Sequence, residues 1–378
     1  MMALRCMILT LALLARPVLA QEKPPPRPPL AATADTNDWE AYYDAGVDWL
    51  NQRHQITAEA AFYWASRLEP RRAEPLFARW AAAWARDSRQ FERYLEHDPA
   101  KPLPPEMVRI DSLRYRALLR NPLVFQGLII AAYQELPGRF ADDAWTHAMV
   151  AYGMADFHEA LTFFGHALDR DSDRYANEVR YLRATTYVAI GQLDSAAYEL
   201  ETLLASLQRH DAERLTPVYQ SKALLYYASG LLQASRHDQA AARAGFENAL
   251  VDDLAFYPAH IALGQLKFGQ RDLAGALREF EQGAGLGAND PVARYEYGAA
   301  LVRAQRSPDA TAELRAAIAL EPYFAESYYW LGEALLAQQD SAAALSAFQN
   351  YMARASAKAA QLATARARVA TLQRSREE

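Results

Sequence analysis

A single cysteine occurs in the 378 residues, and it is Cys6. A chain this poor in thiols carries neither a disulfide framework nor a cysteine-based zinc site, so its stability must come from packing. Glycine (16) and proline (19) are too scarce for a disordered or collagen-like chain. Basic residues are not in excess. The 40 Lys and Arg against 46 Asp and Glu leave a net charge of −6, a poor balance for a nucleic-acid surface, which needs positive charge to displace counterions. Beyond the N-terminus no apolar run reaches the ~18 residues a membrane-spanning helix needs.

The chemistry-bearing residues are equally sparse. The eight histidines are scattered. His158, Glu159 and His166 give half of a zinc-binding helix, but Thr162 stands where the second histidine would have to be. The run Gly283-Ala284-Gly285-Leu286-Gly287 lacks the preceding strand of a phosphate loop and is expected at the turn after a helix. Asp142-Asp143 and Asp252-Asp253 fall near expected helix ends, where carboxylates cap and meet the helix dipole. There is no Gly-x-Ser-x-Gly nucleophile motif. No catalytic residue, metal or cofactor is expected.

What is present begins with an export signature. Arg5 precedes the apolar run Met7–Ala15, and Val18-Leu19-Ala20 offers a cleavage site before Gln21. Arg16 and Pro17 interrupt a run already too short to span a bilayer. Residues 1–20 are therefore expected to be a signal peptide, and cleavage would remove the lone cysteine and two arginines. Residues 21–37 contain the run Lys23–Leu30 with five prolines, expected as an extended tether.

The body of the chain is periodic. Gly230, Gly264, Gly298 and Gly332 are each 34 residues apart. Ala242, Ala276, Ala310 and Ala344 keep the same step, and Phe246, Phe280, Leu314 and Phe348 follow each alanine by four. Each period holds two helical runs around a short polar break. Two small columns and one large column predict close helix pairs with the large residue filling the space beside the small ones. One pair cannot bury its apolar faces alone, so the pairs must stack.

These columns resemble the tetratricopeptide repeat family. The unit from Ala325 carries Tyr328, Leu331, Gly332, Leu335, Ala344 and Phe348, and that from Pro291 carries Tyr297, Gly298, Leu301, Ala310, Leu314, Ala317 and Pro322. A unit from Trp39 carries Tyr42, Gly46, Trp49, Ala58, Phe62, Ala65 and Pro70. Units from Ala141 and Asn177 follow the pattern less fully. The resemblance implies an all-α, right-handed superhelical solenoid of stacked antiparallel hairpins. The expected division is one unit at 38–72, two degenerate hairpins at 73–140, two units at 141–210, an insert at 211–222, four units at 223–358 and a capping helix and tail at 359–378. The degenerate hairpins have Trp80 and Arg114 in place of the glycine, and Glu92 and Gln126 in place of the alanine.

The resemblance also implies that the first helix of each unit lines an inner groove. The fifth position of the seven recognisable units reads Tyr43, Trp145, Tyr181, Tyr227, Ile261, Tyr295 and Tyr329, and the position seven later includes Phe268. These aromatic residues form the candidate partner-binding groove, suited to an amphipathic helix or an extended peptide. The same rings would also serve as packing between hairpins. The ninth position holds no asparagine and the fifth no lysine, which argues against the family's carboxylate clamp. The expected function is an exported, periplasmic adaptor that binds a protein or peptide partner, with no nucleic acid and no membrane span after signal cleavage. The alternative is a structural component of an envelope assembly, a secretion or polysaccharide-export machine, using convex surfaces and array ends. A third arrangement is self-occlusion, in which the proline-rich tether or the terminal helix fills the groove.

Overall fold

The computed structural model describes residues 24–72, 74–86, 144–153, 156–170, 172–213 and 222–377. The expected signal peptide, most of the two degenerate hairpins and most of the 211–222 insert lie outside the described residues. The described residues are helical with no strand, and the helices run in consecutive pairs. In chain order they are α1 (Trp39–Asn51), α2 (Gln55–Leu68), α3 (Glu74–Arg86), α4 (Ala144–Gly153), α5 (Phe157–Arg170), α6 (Ser172–Ala189) and α7 (Leu193–Glu213). The C-terminal half continues with α8 (Ala223–Ser235), α9 (Gln239–Asp252), α10 (Tyr257–Gly269), α11 (Leu273–Leu286), α12 (Pro291–Arg303), α13 (Ser307–Leu320), α14 (Ala325–Ala337), α15 (Ser341–Arg354) and α16 (Leu362–Glu377).

One local device makes each hairpin. Arg53, His237, Arg271, Gln305 and Gln339 have φ between 60° and 64°, and Gly191 takes the same place at 76°. Each left-handed residue ends a first helix, and the residue after it donates its backbone N–H five residues back, as Asp272 does to the Lys267 carbonyl at 2.9 Å. In three units that same residue is an aspartate that caps the second helix. Ala241, Gly275 and Ala343 donate their backbone N–H groups to Asp238, Asp272 and Asp340 at 2.8–3.0 Å. One position thus closes one helix and opens the next.

The repeat columns meet across each pair. A methyl group added at Gly264 would lie 2.7 Å from the Phe280 ring, and at Gly332 2.7 Å from Phe348. At Gly46 and Gly230 the rings of Phe62 and Phe246 are 2.6 Å away. The glycine therefore exists to let the large residue of the second helix lie flat on the first. The alanine column is fully buried beside it.

Three expectations are refined. The glycine run at 283–287 does not follow a helix: Gly283 and Gly285 lie in the last turn of α11, and only Gly287 caps it. Gly283 is small because Ile261 of α10 comes within 2.5 Å of where its Cβ would be. Part of the 211–222 insert is absorbed by α7, which continues to Glu213. The proline run is no free spacer from residue 24 onward. The Trp64 indole N–H donates to the Pro25 carbonyl at 3.0 Å, the Arg27 guanidinium lies 4.5 Å from the Trp64 ring, and Pro28 is buried. A chain without backbone donors cannot build its own ladder, but it can accept from a neighbour's side chain and stack on rings. At the other end α16 packs on α15 through Ala365, Val369 and Leu372, while Arg366, Arg368 and Arg374 are exposed.

Candidate partner-binding face

First helices of successive units approach one another, α10 with α12 and α12 with α14, more closely than the second helices do. The first helices therefore lie on the inside of the curve, and the inner face is theirs.

The fifth-position column is mostly seam on that face. Tyr227 is 7% exposed, packed 5.7 Å from Phe246 of its own unit and 5.5 Å from Phe256 at the junction with the next. Tyr295, also 7% exposed, sits 4.8 Å from Phe324. Tyr43 is half-buried between Trp39 and Phe62, and Tyr329 between Phe348 and Tyr351. Tyr181 is half-buried among Ala184, Ala196 and Leu200. Burial pushes the Tyr181, Tyr227 and Tyr295 phenols up, that of Tyr295 to about 12, so all stay neutral hydrogen-bonding groups. The Trp145 side chain lies outside the described residues. The described rings of this column pack within hairpins and at the joints between them.

Phe268 is different. It is 37% exposed, and the Arg303 guanidinium lies 5.0 Å from its ring and 4.1 Å from that of Trp330. Phe268, Arg303 and Trp330 come from α10, α12 and α14, so the stack climbs three successive units on the inner face. Arg303 is exposed and also donates to the Ala299 carbonyl at 3.2 Å. Gln265 donates to Glu296 at 3.2 Å beside it. Burial raises the Glu296 carboxyl, while Arg71, Gln265 and Arg303 draw it back. Arg303 and Trp330 escaped the sequence reading because they keep no column. The interval from Phe268 to Arg303 is 35 residues, one period plus one, which places Arg303 one residue past the position of Phe268 in the next unit.

A second polar cluster ties α10 to α11. The Glu279 carboxylate meets His260 Nδ1 at 2.8 Å and Lys267 Nζ at 2.6 Å, and these partners hold its pKa down at about 2. A cavity of about 440 Å³ also lies between the proline segment and α2–α3, lined by Ile56, Tyr63, Arg79 and Arg86. Among the described residues there is no group of three or more metal-ligating side chains, and no helix is long and apolar enough to cross a membrane.

No family model and no curated protein sequence matches the chain. Solved structures resemble it in fold. The C-terminal part of a TPR repeat-containing protein from Cytophaga hutchinsonii is 16% identical, with 56% of this chain and 78% of that one covered at a TM-score of 0.45. PilW, described as a type IV pilus biogenesis factor, is 18% identical, with 58% and 96% covered at 0.44. YrrB, described as a TPR protein with an unusual peptide-binding site, is 19% identical, with 50% and 91% covered at 0.40. The chain's own geometry carries the assignment: 34-residue hairpins whose glycine column receives the large residue of the second helix. The chain folds as an all-α solenoid of stacked helical hairpins, similar to tetratricopeptide repeats.

In this solenoid the inner face offers rings, a stacked guanidinium and flanking carboxamide and carboxylate groups. Stacks of this kind present extended curved surfaces on which other proteins dock. Rings with polar edges give contact area at low rotamer cost.

Proposed function

We propose that the chain is an exported scaffold, working in the periplasm, that holds a peptide or helical segment of a partner protein along the inner face of its C-terminal units. The observation that carries this reading is the Phe268–Arg303–Trp330 stack, in which Phe268 and Arg303 are exposed and Trp330 is half-buried. A solvent-facing arginine held between two rings has its rotamers already restricted, so a partner meets it with little ordering cost. The rings supply apolar contact, and Arg303 keeps its outward N–H groups for a carbonyl or carboxylate of the bound segment. The N-terminal residues Arg5 to Ala20 support export.

The test is a crosslinked pull-down of the tagged chain from its native envelope fraction, beside a Phe268→Ala, Trp330→Ala variant checked by circular dichroism. Capture of a partner by the parent and its loss from the folded variant supports the reading. Equal capture by both turns attention to a second surface. Val251 and Leu254 at the end of α9 and Leu286 at the end of α11 are 83%, 79% and 47% exposed. Apolar residues this open on the loop edge favour the second reading, a component of an envelope assembly that touches its neighbours edge-on.

A further inference from the structure

The two ends of the described chain meet. The first hairpin, with the segment before it, lies against the loop edge of the last two units. Arg67 Nε donates to Glu321 at 2.6 Å, and Glu321 is 3% exposed. The Arg67 guanidinium also faces the Tyr323 ring at 5.2 Å, and Trp64 meets that ring edge-on at 5.0 Å. Arg71, four residues on, is gripped by Glu69 at 2.6 Å and lies 3.9 Å from Glu326, with its guanidinium 5.3 Å from Phe324 and 5.7 Å from Tyr295. A polar clasp continues this contact along the edge. Lys358 Nζ reaches Asp38 at 2.7 Å, the Ala357 N–H donates to Asp35 at 2.8 Å, and Asn37 donates to the Ala353 carbonyl at 3.2 Å.

The composition of this contact differs from that of the stack. From α11 to α16 neighbouring units share one continuous apolar core. Of the C-terminal units, only Tyr323 joins the apolar cluster of the first hairpin. Charges and rings hold the rest, as in contacts that form and separate. The receiving side also depends on its occupant. Glu326 is desolvated and crowded by Glu69, which raises its carboxyl, and Arg71 is the cation that opposes this. Arg71 does the same for Glu296. Withdrawing Arg71 would leave two half-buried acids and the Tyr295–Phe324 rings facing a vacated cation position.

We propose that the loop edge of the last two units is a docking site for arginine-bearing helix ends, that the first hairpin is its resident internal occupant, and that a partner segment with arginines four residues apart displaces it. The chain's own occupant defines the ligand chemistry. Arg67 is in the last turn of a helix and enters the Glu321–Tyr323 position, and Arg71 follows in the turn and enters the Glu326–Phe324–Tyr295 position. Because the internal segment belongs to the same chain, it competes intramolecularly and masks the site from a weak external ligand. The proposal rests on the scaffold reading only for the existence of a partner, because the latch itself is testable on the chain alone.

The experiment uses the full chain, a zero-length carbodiimide crosslink from Lys358 to Asp38 or Glu40 as the readout of closure, and a synthetic peptide of residues 55–72 as the probe. On the parent, excess peptide should lower the crosslink yield. Arg67→Glu should lose the crosslink and bind the peptide about tenfold or more tighter than the parent does. Glu321→Arg should lose both crosslink and peptide binding, and the double swap should recover the crosslink, which a hairpin that had merely unfolded could not do. An unchanged yield under excess peptide, a crosslink retained by Arg67→Glu, no recovery in the double swap, or an opened chain that binds peptide no better than the parent would each overturn the proposal. Failure of partner capture with these results intact would instead count against the scaffold reading.

Discussion

Two glycines of α10 have opposite tasks. Gly264 lies under Phe280, with 2.7 Å of room for a methyl group, while nothing stands within 4 Å of Gly269. Alanine gains ~1 kcal/mol of helix propensity at either site. At Gly264 overpacking of ~1–3 kcal/mol opposes it. Gly264→Ala should therefore destabilise by up to about 2 kcal/mol, and Gly269→Ala should stabilise by up to about 1 kcal/mol. Urea melts of the two variants check the difference in sign. The caps give a second residue-scale prediction. At the start of α13 the aspartate that caps α9, α11 and α15 is replaced by Arg306, whose side chain makes no cap bond. Its exposed pair with Asp309 is worth little. Arg306→Asn should restore the cap without placing a second acid beside Asp309 and should add about 1 kcal/mol, read as a raised thermal midpoint.

At the scale of the element, the α10–α11 hairpin carries its own pH dependence. Glu279 falls from its ordinary 4.5 to about 2 in the folded chain because His260 and Lys267 stabilise its charged form. A depressed carboxylate contributes stability that is fully present above its unfolded value and is lost as pH falls through the folded one. Acid should therefore weaken this hairpin between about 4.5 and 2. Glu279→Gln should lower stability at pH near neutrality and flatten the acid limb of the curve, as denaturant melts across that window would show. The hairpin was legible in the sequence because both of its determinants are local. The glycine and phenylalanine columns recur every 34 residues, and Asp272 stands where one helix ends and the next begins. Which first-helix rings open to solvent was not legible. Tyr227 and Phe268 are both aromatic residues of first helices, yet one is closed by Phe246 and Phe256 while the other is left beside Arg303. That outcome depends on side chains from neighbouring units, which no single period displays.

At the scale of the whole molecule, the contact between the first hairpin and the last units was the least legible feature. Arg67 and Glu321 are 254 residues apart and keep no repeat column. Self-occlusion of the groove was legible as an arrangement for the proline run or the terminal helix. The run itself lies on Trp64 of the first hairpin, and it is Arg67 and Arg71 that reach the far units. Export is a molecule-scale prediction of its own: the N-terminal residue of the mature chain, read by sequencing the protein from its native envelope, should be Gln21.

The central claim is that a partner lies on the inner face over the Phe268–Arg303–Trp330 stack. The most direct measurement places a photoreactive phenylalanine analogue at position 330 and, separately, at the exposed outer position 349 on α15, and irradiates cells expressing the full chain. The account predicts a discrete covalent adduct from position 330 and none from position 349. An adduct from position 349 alone would contradict it, as would no adduct from 330 in a chain that is exported and folded.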